Sequence, residues 1–190
     1  MQDPGARTPD LTRRIDRLEA IHEIQQLAMR YAMAVDARDV DAWLDLFVPD
    51  VDCGRRGRGR EALRAFITPA LKIFYRSVHA VTGHVIDHLA EDEAQGRVYC
   101  RAEHETGDRW IVMACVYHDR YARTKDGWRF VSREEDFFYS HDHLERPQDC
   151  DFRRWPGPAP RHEPPLMLPR FSHWAGFWAG EDLAGLTRRP

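Results

Sequence analysis

The first third of the chain carries apolar residues at helical spacing. Leu18, Ile21, Ile24, Ala28, Tyr31 and Val35 recur every three or four positions, while Arg17, Glu19, Glu23, Gln26 and Arg30 lie largely off that stripe. The pattern predicts one long amphipathic helix that starts at a Thr12 or Asp16 cap and ends near Ala37. Asp39 is placed to cap a second, short helix in "VDAWLDLF", whose Trp43, Leu46 and Phe47 share one side before Pro49 stops it. After the strand-and-loop stretch "VDCGRRGRG", helical spacing returns in "GREALRAFITPALKIF" through Leu63, Phe66 and Ile67, with Pro69 expected to interrupt it.

From Ser77 the period falls to two. "SVHAVTGHVIDHL", "QGRVYCRAEHET", "RWIVMACVYHDRYART" and "GWRFVSREEDFFYS" are separated by the short turn signals "EDEAQG", "TGD" and "TKDG", which imply an antiparallel meander. Helices first and a curled sheet of four to six strands afterwards describe an α+β domain over residues 15–140, the helices packed on one sheet face. Residues 1–14 read as a flexible arm. Residues 141–190 read as a proline-rich extension, yet Trp155, Phe171, Trp174, Phe177 and Trp178 carry too much aromatic surface to leave in water, so the extension is expected to cover a pocket or join subunits.

Composition narrows the classes. A 190-residue chain with 43% hydrophobic content can bury one core, and 28 basic against 31 acidic residues leave a formal charge of −3. Such a balance gives no field to recruit nucleic acid or an anionic membrane, and "RRGRGR" at 55–60 lacks the interleaved aromatics of an RNA site. No apolar run approaches the ~20 residues of a membrane-spanning helix. Cys53, Cys100, Cys115 and Cys150 form no CxxC pair and follow no secretory signal, so reduced thiols in a soluble cytoplasmic protein are expected.

Candidate chemistry centres on His79 in "RSVHAVTGHVID" and Asp36 in "RYAMAVDARD". A strand histidine is more often a packed residue with a satisfied hydrogen bond. Asp36, however, ends a helix where a carboxylate opposes the dipole, which asks for another reason for its presence. A histidine facing the core beside a buried carboxylate is the arrangement proton abstraction needs, because the acid fixes the tautomer and stabilises the imidazolium. Tyr31, Tyr117 and Arg133 are the candidate donors to developing negative charge. Trp43, Phe47, Tyr75, His104 and Met113 complete the expected substrate-binding wall, although large apolar residues are as readily plain core. His79 and His84 differ by an odd number of positions and so should face opposite sides unless a bulge at Gly83 intervenes; no metal is expected. No Gly-rich phosphate loop is present either, so no cofactor is expected. "HDH" at 141–143 reads as a solvated turn.

Three segments, "RYAMAVDARDVDAWLDLF", "YRSVHAVTGHVID" and "YHDRYARTKDGWRFVSRE", resemble in order and spacing the SnoaL-like branch of the nuclear transport factor two-like superfamily. The resemblance implies a cone-shaped α+β barrel, its helices packed on a curved mixed, mostly antiparallel sheet. The pattern is similar to that of cofactor-free lyases such as scytalone dehydratase and hexachlorocyclohexane dehydrochlorinase. By that likeness Asp36 takes the position of the orienting carboxylate, His79 that of the base, and Arg133 that of an arginine assisting the departing group. The implied function is a lyase of aromatic-compound catabolism that eliminates water or another small group, such as formaldehyde, from a small hydrophobic, aromatic or polycyclic substrate. An isomerase or cyclase using the same base, and a non-catalytic binding or assembly module, are the alternatives the superfamily offers. A homo-oligomer, dimer or trimer, is expected.

Overall fold

The computed structural model of the protein describes residues 7–143 and 173–186. Helix α1 (Arg7–Ala37) is followed by α2 (Val40–Asp45) and α3 (Arg60–Leu71), then by strands β1 (Arg76–Leu89), β2 (Glu93–Thr106), β3 (Arg109–Thr124) and β4 (Gly127–Asp142), and a single turn α4 (Trp174–Phe177). The strands pair in the order β1-β2-β3-β4, every neighbour antiparallel. A parallel bridge from Phe47 to Phe130 ties the end of the helical region to β4, with Val48 N donating to Phe130 O at 3.0 Å and Phe130 N to Leu46 O at 2.8 Å. This is the α+β arrangement expected, and the bridge makes its pairing mixed.

The core lies between the helices and the inner sheet face. Ile24 and Leu27 of α1, Trp43 of α2 and Ile67 of α3 meet Tyr121 and Phe130 of the sheet. Each such side chain taken fully out of water contributes roughly 1.5–3 kcal/mol. Asp39 caps α2 as its position foretold, its carboxylate accepting from Ala42 N at 3.0 Å. The second and third hairpin turns fall at "TGD" and "TKDG", while the first lies at residues 90–92 and most of "EDEAQG" already belongs to β2.

Several local expectations are corrected. α1 begins at Arg7, ahead of Thr12, and claims half of the expected arm. Its residues 10–19 are all exposed, Leu18 included at 65%, so the buried stripe starts at Ala20. The free helix is tethered where Arg123 clamps Asp16 at 3.0 and 3.2 Å. α3 runs through Pro69 to Leu71, because a proline this close to the helix end removes a single N–H bond of the last turn. His141 and Asp142 are not a turn: they extend β4, and Asp142 Oδ1 accepts from Trp110 N at 3.0 Å.

Of the aromatic extension, Trp155 and Phe171 lie outside the described residues. Trp174, Phe177 and Trp178 dock on their own domain. Trp174 and Trp178 are buried against Tyr75, with ring centroids 5.5 and 5.4 Å from it. Lys72 pairs with Glu181, and His173 Nε2 lies 2.9 Å from Asp39 Oδ2. Gly107 N donates to Leu186 O at 2.7 Å. Gly107 adopts φ +60°, and a Cβ there would stand 2.9 Å from Gly185 O, so the turn between β2 and β3 is shaped to receive this segment.

Candidate functional site

The site begins with how α1 stops. Its last turn delivers Asp36 towards β1, and the chain then turns back through Arg38 at φ +59°, the one non-glycine residue with positive φ among the described residues. That conformation costs roughly 1 kcal/mol or more. The buried guanidinium offsets it: Nη1 donates to Val35 O and to Ser77 Oγ, each at 2.7 Å, and Nη2 to Phe74 O at 2.8 Å and Tyr75 O at 3.3 Å. The Trp174 ring lies 5.4 Å from Cζ. Burial pulls the Arg38 pKa down to about 10, with Asp36 opposing the shift, so Arg38 stays a cation at neutral pH.

Asp36 and His79 meet as expected. Asp36 Oδ1 lies 2.7 Å from His79 Nδ1 and also accepts from Ser77 Oγ at 3.0 Å, while Oδ2 accepts from the His79 backbone N–H at 2.9 Å. With its carboxylate committed to three partners, Asp36 holds both the ring and the backbone of His79. Their side chains are only 16% and 9% exposed. The His104 ring stands edge-on to His79 at 5.3 Å, and its Nδ1 is buried with no partner among the described residues. Burial, reinforced by His79 and Arg38, holds the His104 pKa down at about 3, so this imidazole is neutral at physiological pH.

Arg133 occupies a second polar centre. Its Nε and Nη2 grip Asp119 Oδ1 and Oδ2 at 2.8 and 2.7 Å, and its Cζ lies 4.2 and 4.3 Å from the Tyr31 and Tyr117 rings. Burial lowers its pKa, but the bonds and charge of Asp119 outweigh that and the net direction is up. Tyr121 donates to Asp119 Oδ2 at 2.7 Å and lies 3.1 Å from His84 Nε2. Burial raises the pKa of Tyr31 and Tyr117, which therefore remain protonated donors. A leaving group would thus meet a neutralised ion pair rather than a lone cation.

His84 faces the same interior as His79, against the parity expectation. The β1–β2 register slips between Val81 and Gly83, so that His79 pairs with Ala102 and His84 with Val98, both inner positions of β2. The two histidines nonetheless join different clusters, and among the described residues no group of three His, Cys, Asp or Glu is placed to hold a metal.

The remaining expected wall divides. Trp43 and Phe47 are core, their ring centroids 4.8 Å apart and their planes tilted by 52°, with Trp43 reaching the Tyr31 ring at 5.7 Å. Tyr75 is covered by the C-terminal tryptophans and does not line the dyad. Met113 pairs with Ala102, the residue opposite His79, and is half-buried. A groove of about 730 Å³ between α1 and α2 has Leu27, Met33, Ala37, Leu46 and Asp36 in its walls, and it meets the dyad from the carboxylate side. Ser77, Arg38, Asp119 and Tyr121 were missed by reading the sequence. The offset of Arg133 from Asp119 across the "TKDG" hairpin was the one available signal.

The residues 16–134 match the family model of the SnoaL-like domain, and the chain belongs to that family, within the nuclear transport factor two-like fold. An uncharacterized protein of Mycobacterium tuberculosis is 33% identical over 128 residues, covering 63% of this chain and 84% of that protein. A crystal structure from Novosphingobium aromaticivorans, provisionally assigned as an aromatic ring hydroxylase, superposes with a TM-score of 0.59 at 27% identity, covering 67% of this chain and 95% of that one. The hexachlorocyclohexane dehydrochlorinase of Novosphingobium barchaimii LL02 superposes with a TM-score of 0.61 at 21% identity, over 68% and 94% of the two chains, a likeness of fold.

The depressed pKa of His104 gives a stability signature. The unfolded chain takes up this proton near pH 6.5 and the folded protein only near 3, so stability present above 6.5 is lost as pH falls, by up to about 1.4 kcal/mol per unit. Urea midpoints measured from pH 7 to 4.5 should fall less steeply for His104→Phe than for the parent; identical slopes would place the buried imidazole in no such role.

Proposed function

We propose that this protein is a cofactor-independent lyase in which His79 removes a proton from a small hydrophobic, aromatic or polycyclic substrate and water or another small group departs. The observation that carries the reading is the dyad: Oδ1 of Asp36 at 2.7 Å from Nδ1 directs the other nitrogen, Nε2, to the substrate. As the proton arrives, the imidazolium forms beside a carboxylate held by Ser77 and the His79 amide. Tyr31 and Tyr117 supply neutral hydrogen-bond donors for the developing oxyanion or departing oxygen, and the Arg133–Asp119 pair fixes their place. Neutral His104 beside the base suits an uncharged substrate.

The pairing of Arg133 with Asp119 favours loss of a group that leaves as a neutral molecule after protonation, such as water or formaldehyde, over loss of a free anion. The aromatic assignment of the Novosphingobium neighbour supports the substrate class. An isomerase or cyclase would use the same base and differ only in what the substrate can expel. Aromatic alcohols and ketones, screened for elimination, are the test set. On any substrate found, His79→Ala and Asp36→Asn should each lower kcat by about 10²-fold or more with the fold intact. Turnover unchanged in both would contradict the reading.

The same reading includes a homo-oligomer in the cytoplasm. Val78, Val85, Tyr99, Phe138 and Tyr139 are exposed large apolar residues of the sheet, with the Tyr99 and Phe138 rings 5.6 Å apart across strands, and they offer apolar surface to a second copy. Sedimentation should show a dimer or trimer that dissociates when Phe138 and Tyr139 become Lys; a monomer at every concentration would overturn it.

A further inference from the structure

Beside the dyad lies a pair of thiols that the proposed reaction does not use. Cys100 on β2 and Cys115 on β3 are direct Cα partners in the antiparallel register, and both are buried in one cluster with Ala28 of α1, Val98, Ala102 and Tyr117. Residues directly opposite on antiparallel strands project to the same face with Cβ atoms ~4.5–5.5 Å apart, while a disulfide holds its Cβ atoms ~3.5–4.5 Å and its Cα atoms ~4.4–6.8 Å apart, so closure needs an approach of up to ~1 Å. Register alone therefore puts the two sulfurs within bonding reach after a small adjustment. Both are free thiols, and Cys115 Sγ lies 3.7 Å from Cys100 O.

We propose that Cys100 and Cys115 are a peroxide-oxidisable dithiol that closes to an intramolecular disulfide across β2 and β3, on the inner face that carries His79. Two neighbouring buried cysteines are commonly just small apolar packing. Their surroundings set this pair apart. The Cys115 S–H donates towards Cys100, and the nearby His79 and Arg133 favour negative charge on Cys100, so its pKa is lowered; hydrogen bonding with Cys100 and burial push Cys115 the other way. The pair thus has an attacking thiol and a resolving one. Cys53, the other described cysteine, bonds to the Val51 and Gly59 carbonyls, at 3.8 and 4.0 Å, and packs against the main core away from this pair.

The chemistry balances with hydrogen peroxide as the oxidant. The Cys100 thiolate attacks one peroxide oxygen, the O–O bond breaks, and one water leaves once the departing oxygen is protonated. The sulfenic acid formed is then attacked by the Cys115 sulfur; the S–S bond forms, the S–O bond breaks, and a second water carries away the oxygen and the Cys115 proton. Two thiols lose two electrons and two protons, and peroxide gains them. The closed bond would cross-link the strands beside His79 and Arg133, and it is independent of whether the dyad performs elimination.

The test uses the full chain. Protein treated with hydrogen peroxide, then denatured, alkylated and digested without reduction, should yield a peptide joining Cys100 to Cys115, lighter by two hydrogens than its halves together and split by dithiothreitol. Cys100→Ser should abolish that peptide, while Cys53→Ser should leave it in the same yield. Because the linked peptide is sought in the unmodified protein, a variant that fails to fold cannot decide the matter. Recovery of Cys100 and Cys115 as separately alkylated thiols, or as separate sulfinic acids, while the protein otherwise oxidises would overturn the proposal.

Discussion

Everything at the candidate site depends on one carboxylate. Asp36 leaves α1 in its last turn, and its two oxygens bind Ser77 and both the backbone and the ring of His79, all on β1. Helix and sheet are thereby registered to one another at the point where a base is to be aimed. A negative charge at a helix C-terminus is unfavourable by a few tenths of a kcal/mol to about 1 kcal/mol. Arg38, two residues on, brings a cation to that end and satisfies carbonyls of the turn and of the chain entering β1. The strain of its positive φ is offset by the bonds of the guanidinium, the one to Ser77 among them.

From this join the interior carries two polar layers, beside the buried Arg76–Glu105 ion pair. One is the Asp36–His79 dyad with its Ser77 and Arg38 supports. The other is Arg133 locked to Asp119, between the Tyr31 and Tyr117 rings, continued through Tyr121 to His84. Buried charges placed in pairs avoid the cost of an isolated ion, which is several kcal/mol. The arrangement separates tasks: the dyad moves a proton, and the second layer holds neutral donors in place. The C-terminal turn closes over Tyr75 and Arg38, so the far end of the chain seals the outer side of the join.

The fold was legible because period and punctuation agree along this chain. Helical spacing in α3, the Asp39 cap, and the "TGD" and "TKDG" turns place α2, α3 and the strands within a few residues, and the spacing in α1 places its end but not its start. Asp36 and His79 were legible for the same reason, since one closes an apolar helix and the other sits in a strand of clear alternation. What escaped depends on tertiary geometry. The bulge at Val81–Gly83 is the exception that Gly83 had marked: it reverses the parity of His84, and alternation alone does not show whether such a residue is inserted. Asp119 was invisible as the partner of Arg133 because a charge alternating with others on β3 reads as solvent-facing. Tyr75 and Trp43 look the same in sequence as pocket residues; only packing shows one beneath the C-terminal segment and the other in the core.

The most direct measurement of the central claim is the protonation pattern of the His79 ring. Nitrogen-15 spectra of the labelled protein, recorded on the neutral ring, should show Nδ1 carrying the proton, with a strongly downfield N–H resonance, and Nε2 bare. Asp36→Asn should remove that resonance while the other histidine signals stay in place. A His79 ring protonated at Nε2, or one exchanging freely between tautomers in the parent protein, would contradict the account.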